Sequence, residues 1–207
     1  MSRSWSSRHM MAAVVAVAGV ALALGGCSPV QAGAAATYGN NRITTTLLDT
    51  KVNDLRAALN GADPQGATPA RTVSYVLQTL ITNDLVMLAG AKEGVQVTPT
   101  EVAVQRATLQ SQHGGKAGLD KLAAQQGIPP SQLDAILESN LIIQKLGKKL
   151  APSGTAAQQQ TAVRVYLTGL SAQLKTKVSP RYGTWDSTTL SIAPVTNSVS
   201  TPAPSAS

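Results

Sequence analysis

Few side chains in this sequence are suited to covalent or acid–base chemistry. There is one cysteine, Cys27, and there are two histidines, His9 and His113. An ordinary structural zinc site wants four Cys or His ligands, so none is expected, and a single Cys excludes a disulfide within the chain. The ten carboxylates are scattered, with no close pair spaced for general acid and base roles. Gly114-Gly115-Lys116 lacks the spacing of a phosphate loop and reads as a helix stop, with His113 a cation at the end of that helix. No catalytic residue, metal or cofactor is expected. Aromatics are few, with no Phe, two Trp and four Tyr, and Tyr182 and Trp185 fall together near the C-terminus. The residue types lean towards binding.

The 207 residues suit one domain with tails, and its core must come from Ala, Val, Leu and Ile. Residues 1–26 stand apart from it. Arg3 and Arg8 precede an uncharged apolar run, Met10 to Leu24, of 15 residues. A bilayer span takes about 20 residues, so this run fits a signal peptide instead. It ends in Leu24-Gly25-Gly26-Cys27, which resembles the lipobox of bacterial lipoproteins. The resemblance makes Cys27 a lipid attachment point at the mature N-terminus, and two acyl chains suffice for stable anchoring. Loss of Arg3 and Arg8 takes the 17 basic residues to 15 against 10 acidic, a net charge of +5. The basic residues are dispersed with no aromatic interleaving, so nucleic acid is not an expected partner.

Residues 27–35 are mostly small and read as a tether. Gly39-Asn40-Asn41 suits a turn between two short strands. Thr45 or Thr46 is then expected to cap a helix with Leu48, Val52, Leu55 and Leu59 on one face. A second helix, Arg71 to about Gly90, carries Val76, Leu77, Leu80, Ile81 and Leu85 on a broad face. Asp84 interrupts it and is expected to pair with a Lys or Arg. Thr98-Pro99-Thr100-Glu101 spells a capping box that starts a third helix, which stops at Gly114-Gly115. A short helix over 119–126 follows, then one opened by Pro129-Pro130 and ending near Leu150. A long helix runs to about Lys177. Residues 178–192 read as irregular or extended, with Leu190 and Ile192 alternating as in a strand, and 193–207 as a Pro/Ser/Thr-rich disordered tail. The expected fold class is mostly α with a few short strands.

Three stretches in succession carry a family resemblance: Ile43-Thr44 entering Leu48-Asp49; Leu80-Ile81 and Leu85-Val86 leading through Gly94-Val95-Gln96-Val97-Thr98 to Glu101-Val102; and Gly127-Ile128-Pro129 entering Leu133. Together they resemble the N-terminal domain of the SurA and PrsA-like chaperones over roughly residues 36–150. Ser179-Pro180-Arg181-Tyr182-Gly183-Thr184-Trp185-Asp186 is similar to an "NPRYG-x-WD" ending in lipoproteins of that group, with Ser179 in place of Asn. The resemblance implies a domain over 36–192, with an N-terminal lobe at 36–150 and a long C-terminal helix and extended segment, 154–192, returning to it. It also implies Tyr182 and Trp185 as candidates for domain closure or client contact. Full-length relatives insert a parvulin prolyl isomerase domain before the final segment, whereas here the stretch from Leu150 to Val178 holds one turn and one helix.

The resulting expectation is a lipid-anchored protein on the extracytoplasmic face of the cell membrane. It would bind unfolded or exported polypeptides without ATP and without enzymatic activity, and a homodimer stays open. The alternatives are a docking module of an envelope complex, a small-ligand binder, and a prolyl isomerase by family label only.

Overall fold

A computed structural model describes residues 33–195. Residues 1–32, which include Cys27 and the expected signal peptide, and residues 196–207 lie outside the described residues. The expected mostly α architecture is present, with six α-helices and five short strands among the described residues.

Strands β1 (Ala34–Tyr38) and β2 (Asn41–Thr44) form an antiparallel hairpin, with Tyr38 opposite Asn41. Gly39 turns the chain at φ +56°, a conformation that costs glycine little. β1 starts inside the stretch expected as tether. Ala34 and Ala35 are buried, and the Ala35 carbonyl accepts from Ser179 N at 2.8 Å. The alanine run looks like linker by composition, but small side chains let its backbone lie flat between helices and pair on both edges.

Helix α1 (Thr45–Ala58) is capped by Thr44, not by Thr45 or Thr46; the Thr44 hydroxyl accepts from Leu47 N at 3.1 Å. The last residue of β2 is already extended, which is the conformation a capping residue needs. Leu48, Val52 and Leu55 point inward as expected. Helix α2 (Pro69–Lys92) is the centre of the domain, with Val76, Leu77, Ile81, Leu85 and Val86 almost fully buried. It is long and apolar enough to cross a bilayer, yet half of its most apolar window is buried inside the fold. Helices α5 (Leu133–Leu150) and α6 (Ala156–Gln173) pack beside it. A Cβ on Gly90 would lie 2.9 Å from Ile142 Cγ2, so glycine is what lets α2 and α5 approach this closely.

Helix α3 (Pro99–Gln112) has its capping box, with Thr98 and Glu101 bonded reciprocally. Gly114 and Gly115, both at positive φ, separate it from α4 (Gly115–Gln125), which begins four residues before the expected start at Leu119. Helix α6 ends at Gln173 and does not reach Lys177. Lys175 turns the chain at φ +51°, and Lys177–Val178 leaves as β3 to pair with β1, giving a sheet of order β2-β1-β3. Sheet pairing outcompetes helix propagation there.

Strands β4 (Thr184–Asp186) and β5 (Ser191–Ala193) form a second hairpin. Leu190 sits at φ +54° in its turn, so it does not alternate with Ile192 along a strand. Ala193 pairs with Thr184, which carries the ordered domain one residue past the expected end at 192.

Candidate functional site

The apolar residues divide unequally. Most enter one core between α1, α2, α5, α6 and the strands. A smaller cluster, Leu119, Ala123, Leu133 and Leu137, lies under α3 and is flanked by Val102 and Leu109. Helix α3 itself has no buried residue. It is tied to α5 by two ion pairs, Arg106 Nε to Asp134 Oδ1 at 2.6 Å and Lys145 Nζ to Glu101 Oε1 at 2.6 Å. Lys145 and the backbone of Thr98 hold the Glu101 carboxyl down at about 2, so it stays charged at any ordinary pH.

Between α3 and α5 lies an open cleft of about 330 Å³, at the small end of the range for ligand sites. Val97, Pro99, Val102 and Ala103 form its apolar side. Arg106, Asp134 and Glu138 supply its charged side. Nothing in the sequence marked this site, because its walls meet only when α5 folds back beside α3. One sign was legible: the apolar stripe of α3 is sparse, so the helix has little to bury.

The two residues singled out at the C-terminus lie elsewhere. Trp185 is buried in the main core, and its Nε1 donates to Ser171 Oγ at 2.9 Å. Ser171 Oγ also lies 3.1 Å from Thr176 Oγ1 and 3.2 Å from Ser187 Oγ. Tyr182 is half-buried against the same core, with the Arg181 guanidinium 5.8 Å from its ring centre. The Tyr182 carbonyl accepts from Ser74 Oγ on α2 at 3.0 Å. Both aromatics therefore pin the final segment onto α2 and α6, and neither lines the cleft.

Asp84 does not meet the Lys or Arg expected for it. Its carboxylate accepts a hydrogen bond from the hydroxyl of Tyr38, at the tip of β1. Burial raises the pKa of Asp84, opposed by that hydrogen bond. Burial, with the carboxylate adding to it, raises Tyr38 as well, so the phenol stays a donor. A carboxyl whose folded pKa is raised stabilises the fold below the ordinary carboxylate range and loses that contribution as pH rises through the folded value. Asp84→Asn keeps an acceptor for Tyr38, so it is expected to be at least as stable as the parent at neutral pH and to flatten this pH dependence. Asp84→Ala strands a buried hydroxyl and is expected to cost about 1–3 kcal/mol. Urea midpoints measured from pH 4 to 8 check both; an Asn variant as weak as the Ala variant would show that the pair needs the charge.

Among the described residues, no group of three or more His, Cys, Asp or Glu side chains could hold a metal ion. Among them, too, only α6 and the short turns on either side of it connect α5 to β3.

A family model described as the SurA-like N-terminal domain matches residues 1–147 of the 207. The chain belongs to that family. No curated protein and no solved structure matches it. In this SurA-like N-terminal domain the match covers the hairpin and α1 to α4 and ends near the close of α5, so the cleft lies wholly within it. Helix α6 and strands β3 to β5 lie beyond the matched residues, yet they share the main core with α2. Membership relates the chain to the chaperones at the level of the family.

Proposed function

We propose that this protein is a chaperone-like binder of unfolded or exported polypeptides. It acts without ATP and without catalysis, and is held on the extracytoplasmic face of the membrane by lipid on Cys27. The observation that carries the reading is the open, partly apolar cleft along α3, a helix that contributes no buried residue to the core. A surface of this kind suits weak, exchangeable contacts with apolar segments. Family membership supports the chaperone reading, and the connection of α5 to β3 by α6 and two short turns supports binding without isomerase activity.

Light scattering of a chemically denatured client tests the function. The protein is expected to suppress aggregation at stoichiometric amounts, and to lose that effect when Val102→Asp puts a charge on the apolar side of the cleft. A docking module would leave aggregation unchanged, and catalysed prolyl isomerisation of a peptide would overturn the non-enzymatic reading. Cys27→Ala tests the anchor: the protein is expected to leave the membrane fraction or to stall in export, and an unaltered, detergent-requiring membrane population would sink the lipid assignment.

A further inference from the structure

The charges around the cleft do not balance. Arg106 lies in an ion pair with Asp134 by distance, although its buried Nε makes no hydrogen bond. Glu101, whose carboxylate would otherwise face the same end of α3, is matched by Lys145 and by the amide of Thr98. Glu138 has no ion-pair or hydrogen-bond partner among the described residues, although it lines the cleft and is only partly exposed. The first cation along α5 is Lys145, seven residues on and about 10 Å further along the axis; it is already taken by Glu101 and by the Gln96 carbonyl.

The N-terminus of α3 does not reverse this sign. A helix start normally attracts anions through its free N–H groups. Here the Thr98 hydroxyl accepts from Glu101 N and the Glu101 carboxylate accepts from Thr98 N, so the helix supplies its own anion. The cleft thus offers an aliphatic wall of Val97, Pro99 and Val102, with no aromatic ring among its lining residues, next to one uncompensated negative charge.

We propose that the cleft is a peptide subsite for an extended segment in which an aliphatic side chain lies beside a lysine or arginine. The aliphatic group packs on Val97, Pro99 and Val102, and the cation meets the carboxylate of Glu138. This specificity rests on the polypeptide-binding function proposed above and names which segments this one cleft selects.

The overall field of the chain makes the proposal testable. At a net charge of +7, or +5 without residues 1–26, long-range attraction favours acidic peptides. A preference for basic ones therefore reports the cleft and not the general charge. Short fluorescein-labelled peptides carrying Leu-Lys, Leu-Glu or Ser-Lys pairs, titrated into the full chain and followed by anisotropy, read it directly. The Leu-Lys peptide is expected to bind up to about five-fold more tightly than Leu-Glu, the range of a partly exposed ion pair, and more tightly than Ser-Lys because only it packs an aliphatic side chain on the cleft. Glu138→Gln is expected to abolish the Leu-Lys preference and leave only the weak preference for Leu-Glu set by the overall charge, and Glu138→Lys to strengthen that inversion; circular dichroism checks that both variants are folded. An order unchanged in the two Glu138 variants overturns the proposal, as does a parent protein that prefers the Leu-Glu peptide. Full aggregation suppression with no Leu-Lys preference would defeat this specificity and leave the proposed function standing, whereas absence of suppression would defeat both.

Discussion

A chain ending at Lys177 is expected to lose its cooperative thermal transition. The deletion removes Val178 from the edge of β1, Trp185 and Leu190 from the main core, and Tyr182 from its margin. Losing one buried large aromatic typically costs about 3–5 kcal/mol, and a domain is stable by only about 5–15 kcal/mol. Trp185 also caps a polar chain inside the fold: without its Nε1–H donor, the buried Ser171 hydroxyl loses a partner at 2.9 Å, which adds to the cost. A chain ending at Val195 keeps both hairpins and is expected to melt with the parent. Trp185 is the only tryptophan in the described residues and reports on its own burial. Its emission is expected to be blue-shifted in the native state and to move red on unfolding; a solvated spectrum before unfolding would contradict the packing.

Leu85→Ala is expected to be nearly as damaging. Leu85 lies about two thirds of the way along α2 with no exposed surface, and it belongs to the core shared by the helices and the hairpin. Such truncations cost about 2–5 kcal/mol, the spread reflecting how far the surroundings collapse into the space. Little collapse is expected here, because α2 is held from several sides and Gly90 already sets its approach to α5. Urea unfolding should show a lower midpoint with an unchanged slope. Val104→Ala on α3 is the control: Val104 is 62% exposed, so its removal should leave the midpoint in place. A Leu85→Ala variant that melted with the parent would show that α2 is not the centre of the fold.

The difference between α2 and α3 explains how the domain divides its labour. A helix with a broad apolar face is drawn into the core, and its contacts set global stability. A helix capped as well as α3, but with a sparse stripe, folds locally and stays at the surface. It is joined to α5 by Arg106–Asp134 and Lys145–Glu101, and rests on the second apolar cluster through Val102 and Leu109.

Local chemistry made much of this legible before any coordinates. The capping box of Thr98 and Glu101, the Gly39-Asn40 turn, the glycine stop at 114–115 and the faces of α1 and α2 all depend on residues within one or two turns of each other. The succession of these elements was enough to carry the family resemblance. Where local rules met a distant partner, the tertiary structure decided. Pairing with β1 ended α6 four residues early and made buried strand of Ala34 and Ala35, which read as tether by composition. Asp84 found the hydroxyl of Tyr38 across 46 residues, and no helical period encodes that contact. The cleft shows the same reason most plainly: Val97 and Glu138 lie 41 positions apart, and their neighbourhood exists only once the second apolar cluster has pulled α3, α4 and α5 together. Sequence determined which helices form and which face each must bury, because those are short-range consequences of side-chain type. Only the packed chain determined what was left uncovered, because an open surface is what remains after every long-range contact has been made.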